Sequence, residues 1–351
     1  MSLPLIADQA VSSARPQPWE RVAEAPRAER ASPRAVRLSI TDRCDLACLY
    51  CRPNRRDGYL PSERRVLAEH WQRLVEGLVL RGVRRVRITG GEPLLHPHVL
   101  DIARAVAAVP GVEDLAITTN GTQLTELASA LYEAGVRRLN LSIDSLDPQR
   151  FFRLTRGGHL DKVLEGVEAA RATGFELKTN TVVVGPDGDD LRNDDELVSI
   201  AQWAFSVGAT PRFLELMTVG EGARIRGRVV PFAEMRARLA TLLVDAEPAR
   251  EADRGPAVYV PTHDGRRIGF VTGTSDTFCS GCDRLRVSSD GRLRPCLATN
   301  DSVDVSAAVR AGDVDAIARG LDEAWTLKPD AAWRGCTEAS AAAVDMRATG
   351  G

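Results

Sequence analysis

The sequence predicts an α/β protein built from six strand–helix units, closed by a smaller C-terminal appendage. Three observations carry this. Six short apolar or β-branched stretches alternate with longer segments of helical spacing, which argues for parallel βα units. Glycine repeatedly closes a helical segment just before the next strand, at Gly82, Gly135, Gly174 and Gly208. After about residue 250 the helical spacing gives way to short strand patterns.

In chain order, residues 1–34 carry Pro, Ala, Arg and Ser without periodicity and read as a flexible leader. Residues 35–250 hold the repeating units, with strands expected at 36–41, 85–89, 114–119, 138–143, 176–184 and 212–219. The helical segments between them show one apolar face each. Examples are Val66, Leu67, Trp71, Leu74, Val75 and Leu78; then Val99, Leu100, Ala103 and Val106; then Leu160, Val163, Leu164 and Val167. A further helix is expected at 232–244. Residues 251–351 form the appendage, with short strands at 258–260, 267–271 and 284–287 and a hairpin signal at Asp290-Gly291. Six units fit an open doubly wound sheet or an incomplete barrel equally well. In both, ligands collect at the C-terminal strand ends.

Composition narrows the function classes. Of 351 residues, 44% are hydrophobic and 27% charged, as in soluble globular proteins. A net charge of −2 gives no global attraction to nucleic acid or anionic membrane, and aromatics at 5% offer no stacking platform. No run reaches the ~18 apolar residues of a membrane span, and the apolar run at 3–6 is too short for a signal-peptide core. A cytoplasmic location is expected. In that reducing compartment the seven cysteines read as metal ligands, catalytic thiols or core residues, not as disulfides.

The first cysteine group is Cys44, Cys48 and Cys51, in a loop after the first strand. Three thiolates at CxxxCxxC spacing can hold three irons of a [4Fe–4S] cube and leave the fourth open. Zinc usually takes four protein ligands, and the next cysteine lies far along the chain. Buried structural thiols are the plain alternative. With Tyr50 before the last cysteine, the motif resembles that of the radical S-adenosylmethionine (SAM) superfamily, in which the open iron chelates SAM. Gly90-Gly91-Glu92-Pro93 at the second strand end matches that superfamily's second mark, although alone it could be only a turn.

The second group is Cys279, Cys282 and, thirteen residues on, Cys296, which the Asp290-Gly291 turn would fold back toward the pair. It reads as a second [4Fe–4S] cluster with one open iron, or as a zinc ribbon completed by Cys336. Two such triads at the ends of a six-unit domain resemble the MoaA-type GTP 3′,8-cyclases of molybdenum cofactor biosynthesis. The resemblance covers residues 35–300 and the extreme C-terminus. It rests on Arg37 through Cys44, Arg87 through Leu94, Thr118-Thr119-Asn120-Gly121, Ser142-Ile143-Asp144, Lys178-Thr179-Asn180, Arg212 through Met217, Phe278 through Arg286, and the closing Gly350-Gly351.

That resemblance implies an incomplete (βα)6 TIM-type radical SAM barrel, two [4Fe–4S] clusters and SAM. Tyr50, Gly91, Ser142, Asn180 and Met217 would line SAM. Arg37, Arg87, Thr118, Lys178, Arg284, Leu285 and Arg286 would hold GTP, with the open iron of the second cluster taking guanine. Arg284 and Arg286 and the Gly350-Gly351 tail would serve catalysis. A 5′-deoxyadenosyl radical would take hydrogen from C3′, the C3′ radical would close on C8, and an electron, from the second cluster, and a proton would complete the 3′,8-cyclised nucleotide. A flavodoxin- or ferredoxin-type electron donor, a homodimer and a downstream pyranopterin-forming enzyme are implied as partners. The residues by themselves give each arginine a plain alternative as a solvated or paired charge, and Lys178 and Arg212 one of pairing with acidic neighbours. Asp45 and Arg52 stand where the family commonly has Asn and Met, and Trp333 follows Lys328-Pro329 where a histidine is expected. The rival readings are a radical SAM peptide-modifying enzyme with an auxiliary cluster and a zinc-bound interaction protein. A brown colour separates the iron–sulfur readings from the zinc one.

Overall fold

The computed structural model describes residues 32–52, 58–251, 255–275, 279–329 and 346. Six strands, β1 (Ala35–Ser39), β2 (Arg85–Thr89), β3 (Asp114–Thr119), β4 (Arg138–Ser142), β5 (Glu176–Val183) and β6 (Thr210–Glu215), lie side by side in chain order, all parallel. A doubly wound sheet would reverse its order at a switch point. Sequential order throughout, with every helix layer on one side, is the winding of a TIM-type partial barrel.

Strand alternation makes the two faces different. Val36 and Leu38, Val86 and Ile88, Leu115 and Ile117, and Leu139 and Leu141 join the main apolar core. They pack under α1 (Trp71–Val79), α2 (Val99–Ala107), α3 (Leu124–Glu133) and α5 (Leu160–Thr173), whose apolar stripes share that core. The alternate residues point into a cavity: Arg37, Arg87, Thr118, Ser142, Asn180 and Arg212. Glycine ends α5 in the left-handed region at Gly174 (φ 97°), which is where a residue lacking Cβ costs least.

Two further helices were not legible as separate elements. α4 (Pro148–Thr155) precedes α5 and is capped by Asp147, whose side chain accepts from Arg150 N. α6 (Leu197–Ser206) sits between β5 and β6. After β6 come the short α7 (Glu221–Arg224) and α8 (Phe232–Arg238). α8 is shorter than the 232–244 expected, because the chain turns at Leu239 and Leu243 bridges to Thr262 instead.

The appendage expected after residue 250 is continuous with this sheet. β7 (Ala249–Arg250), β8 (Val258–Pro261) and β9 (Arg267–Val271) extend the β6 edge, with β9 parallel to β6. β10 (Arg284–Val287) lies parallel to β1 at the other edge, followed by β11 (Arg292–Arg294) and β12 (Val303–Asp304). Asp290-Gly291 does form the turn of the β10–β11 hairpin, with Gly291 at φ 79°. α9 (Ser306–Ala311) and α10 (Val314–Thr326) close the described chain. Ile317 of α10 stands so close to Gly77 of α1 that a Cβ there would meet its Cγ2 at 2.6 Å. Among the described residues no helix is long and apolar enough to cross a membrane.

Candidate active site

One cavity at the C-terminal strand ends gathers both cysteine triads. Cys44, Cys48 and Cys51 line it together with Cys279, Cys282 and Cys296. Tyr50, Gly91, Ser142, Asn180 and Met217 line the same space, as do Arg37, Arg87, Thr118, Arg284 and Arg286.

The first triad sits on a loop held by backbone and side chain at three strand ends. At β2, Gly91 N donates to Thr41 O and Glu92 N to Arg43 O, both at 2.7 Å. A Cβ on Gly91 would stand 2.2 Å from Arg43 O, and one on Gly90 2.4 Å from Thr41 O. The glycine pair is therefore what lets the cysteine loop lie against the strand end. At β3, Asp45 accepts from Asn120 Nδ2 and from Thr122 Oγ1, each at 2.7 Å. At β4, the Tyr50 hydroxyl donates to Asp144 Oδ2 at 2.7 Å, and Asp144 Oδ1 accepts from Val182 N.

Glu92 is a buried hub behind this loop. Its carboxylate accepts from Leu94 N, Thr119 Oγ1 and Asn120 N at 2.7–3.0 Å. Burial nevertheless pushes its pKa up to about 7, and burial likewise lifts Asp144 to about 6. Cys44 and Cys48 are also pushed up, by burial first and by nearby carboxylates second.

The second triad has the opposite setting. Burial raises the Cys282 thiol, but Arg284 and Lys328 outweigh it and bring the pKa down to about 6. Lys328 Nζ donates to Arg284 O at 2.6 Å and to Pro295 O at 2.8 Å. At the β6 end, Glu215 accepts from Phe232 N, Thr274 N and Ser275 N at 2.7–2.8 Å, anchoring the loop that leads toward Cys279.

Strand register concentrates cations between the triads. Arg286 pairs with Arg37 across β10–β1, and Arg37 with Arg87 across β1–β2, so three guanidinium groups stand in one row. Burial first, then neighbouring arginines, lower Arg37; the same causes bring Arg87 to about 9 and Arg286 to about 10. Among the described residues no carboxylate forms an ion pair with Arg37 or Arg87, and Arg87 Nε is buried without a partner. Like charges in cross-strand register are unfavourable by themselves. A row of them facing a cavity is a site for an anion with several charges.

The side chains of two expected residues stand off the cavity lining, and sequence reasoning passed over others that line it. Leu285 does not line the cavity: alternation along β10 turns its side chain into the main core, where it is fully buried. Lys178 lies one step further down β5 than Asn180, outside the cavity lining, and pairs with Glu176 at 3.2 Å. Arg212 takes the cavity face instead, donating to Asn140 Oδ1 at 2.5 Å. Glu92 and Asp144 lay within recognised motifs, and only their buried hydrogen bonds reveal their part. Lys328 was noted merely as a fragment of an incomplete motif. Gly350, Gly351, Cys336 and Trp333 fall outside the described residues.

The donor chemistry fits two iron–sulfur clusters. Each triad presents three thiols to one cavity, and each has a backbone N–H aimed at sulfur: Leu46 N at Cys44 and Ala298 N at Cys296, both at 3.4 Å. Among the described residues no three His, Cys, Asp or Glu side chains close on a single ion.

Known proteins agree with this geometry. Residues 38–204 match the Radical SAM superfamily and residues 209–333 match Molybdenum Cofactor Synthesis C. A GTP 3′,8-cyclase of Bradyrhizobium diazoefficiens is 39% identical over 300 residues, covering 84% of this chain and 85% of that one. One from Pelotomaculum thermopropionicum is 39% identical over 84% of this chain and 91% of its own. GTP 3′,8-cyclase 1 of Pseudomonas aeruginosa is 41% identical over 78% and 83%. Among solved structures, Streptococcus suis SuiB superposes with a TM-score of 0.57 at 16% identity, over 84% of this chain and 68% of that one. SuiB bound to S-adenosylmethionine gives a TM-score of 0.56 at 16% identity, over 79% and 64%. At that identity the likeness shows the radical SAM barrel fold alone. The relatives carry the family: this chain belongs to the GTP 3′,8-cyclases, radical SAM enzymes of molybdenum cofactor biosynthesis with two [4Fe–4S] clusters.

Proposed function

We propose that this chain converts GTP to 3′,8-cyclo-7,8-dihydro-GTP in the cavity between its two cysteine triads. The observation that carries this is the in-register row Arg286–Arg37–Arg87, which supplies fixed positive charge for a triphosphate in a chain of net charge −2.

Cys44, Cys48 and Cys51 hold the cluster that serves SAM, with Tyr50, Gly91, Ser142, Asn180 and Met217 around the cofactor. Cys279, Cys282 and Cys296 hold the second cluster on the nucleotide side. When bound, clusters and SAM supply the one-electron chemistry that takes hydrogen from C3′ of the nucleotide. The chain's own residues position and shield. Arg37, Arg87, Arg284 and Arg286, with Thr118 and Arg212, fix the polyphosphate and sugar between the triads. The apolar wall of Leu46, Leu214, Val271 and Ala298 excludes water from the reacting carbon. Gly350 and Gly351 serve catalysis in this reading. A flavodoxin- or ferredoxin-type donor, a cytoplasmic location, a homodimer and a downstream pyranopterin-forming enzyme belong with it.

Replacing each triad by alanine tests the assignment. Wild type loads about eight irons per chain and each triple variant about four. Loss of Cys44, Cys48 and Cys51 abolishes SAM cleavage; loss of Cys279, Cys282 and Cys296 leaves uncoupled cleavage and removes GTP stimulation. Full iron in either triple variant contradicts the ligand assignment.

A further inference from the structure

Lys328 stands where the β10–β11 hairpin opens. The ladder pairs Val287 with Leu293 and Arg286 with Arg294. Continued by two more antiparallel steps, the register would bring Arg284 opposite Cys296, but β10 begins at Arg284 and β11 ends at Arg294. The two arms there carry Cys282, two residues before Arg284, and Cys296, next to Pro295. The Lys328 ammonium crosses the gap, donating to the Arg284 and Pro295 carbonyls.

An ammonium has three N–H donors and no acceptor. Two are spent on these carbonyls, and the charge lies near enough to Cys282 to help draw its thiol down. The Trp325 ring lies 4.8 Å from Nζ, and Lys328 N is tied to Trp325 O at 3.2 Å, so the end of α10 fixes the side chain from behind. Two carbonyls and one aromatic face hold the ammonium beside the second triad, while burial pulls its own pKa down. The first triad is surrounded instead by Glu92, Asp45 and Asp144.

We propose that Lys328 is a positioning residue for the second cluster: it staples the two arms that carry Cys282 and Cys296, and its charge holds that cluster at a higher reduction potential than it would otherwise have. The staple sets the spacing of two ligands that the opened ladder no longer sets. Charge and hydrogen bonds near cluster sulfurs are what tune such potentials. A raised potential would make that cluster easier to reduce, so that it could hold an electron on the nucleotide side.

The proposal rests on Cys279, Cys282 and Cys296 holding the second cluster. The test uses the full chain with Cys44, Cys48 and Cys51 replaced by alanine, reconstituted without oxygen, so that the remaining iron and its EPR signal belong to that site. No iron in this background refutes the cluster reading itself, independently of Lys328. With iron present, Lys328→Met is expected to lower the midpoint potential in an EPR-monitored titration. Lys328→Arg, which keeps the charge, is expected to keep most of it. Where Lys328→Met loses iron, restoration by Lys328→Arg supports the staple. A Lys328→Met protein holding its iron at the unchanged potential overturns the proposal, as does an iron loss that Lys328→Arg leaves unrepaired.

Discussion

Arg37 and Arg87 and their neighbour Leu285 show how one strand step separates function from packing. Each arginine faces the cavity, and truncating either removes charge-assisted bonds worth roughly 1.5–3 kcal/mol, or about ten- to a hundredfold in GTP affinity. Equilibrium dialysis against GTP should show that loss for Arg37→Ala and Arg87→Ala with iron content unchanged. Leu285→Ala should do the reverse: a core truncation of about 2–5 kcal/mol in stability, read by denaturant unfolding, with GTP affinity preserved in the folded fraction. Glu92 gives a pH prediction. Its folded pKa of about 7 lies above the ordinary 4.5, so the folded state holds the proton more tightly than the unfolded one. Its contribution is therefore full below about pH 4.5 and is lost as pH rises to about 7, by about 3 kcal/mol at most. Glu92→Gln should flatten that part of the stability–pH curve of the cluster-free protein, measured by thermal unfolding. An unchanged slope would mean that the carboxyl is already ionised in the fold.

Elements act through their contacts with the cysteine loop. Gly91→Ala cannot be absorbed by a side-chain shift, because the atoms in the way are backbone atoms of Arg43 and Asp42. The loop must move off β2, and iron loading at the first triad should fall several-fold, assayed with the second triad replaced by alanine. Tyr50→Phe removes one partly buried hydrogen bond and leaves Asp144 short of a donor, a change of about 1–3 kcal/mol. Much of this was legible before any coordinates. Strand positions follow from β-branched runs, and the GGEP and cysteine motifs fall at strand ends because the βα unit places loops there. The rest depended on which face a residue takes. Leu285 and Lys178 were assigned from the family resemblance, and only register and depth along β10 and β5 turn the Leu285 side chain into the core and set Lys178 beside Glu176. Arg212 was passed over because a mid-strand arginine has an equally good reading as an ion pair.

At the scale of the molecule, the C-terminal strands complete the barrel's chemistry. β10 on one edge brings Arg286 into register with Arg37 and Arg284 into register with Ala35, and β9 on the other carries the loop whose Thr274 and Ser275 anchor on Glu215. Local patterns showed these strands as short and separate, because a parallel pairing over some 250 residues of chain leaves no periodic trace. The central claim is that one cavity couples both triads to a nucleotide. Its most direct test is 5′-deoxyadenosine release by the anaerobically reconstituted wild-type chain, with and without GTP, alongside analysis of the nucleotide product. The account predicts GTP-stimulated release matched by a 3′,8-cyclised nucleotide. Release indifferent to GTP, with the nucleotide recovered unchanged, would contradict it.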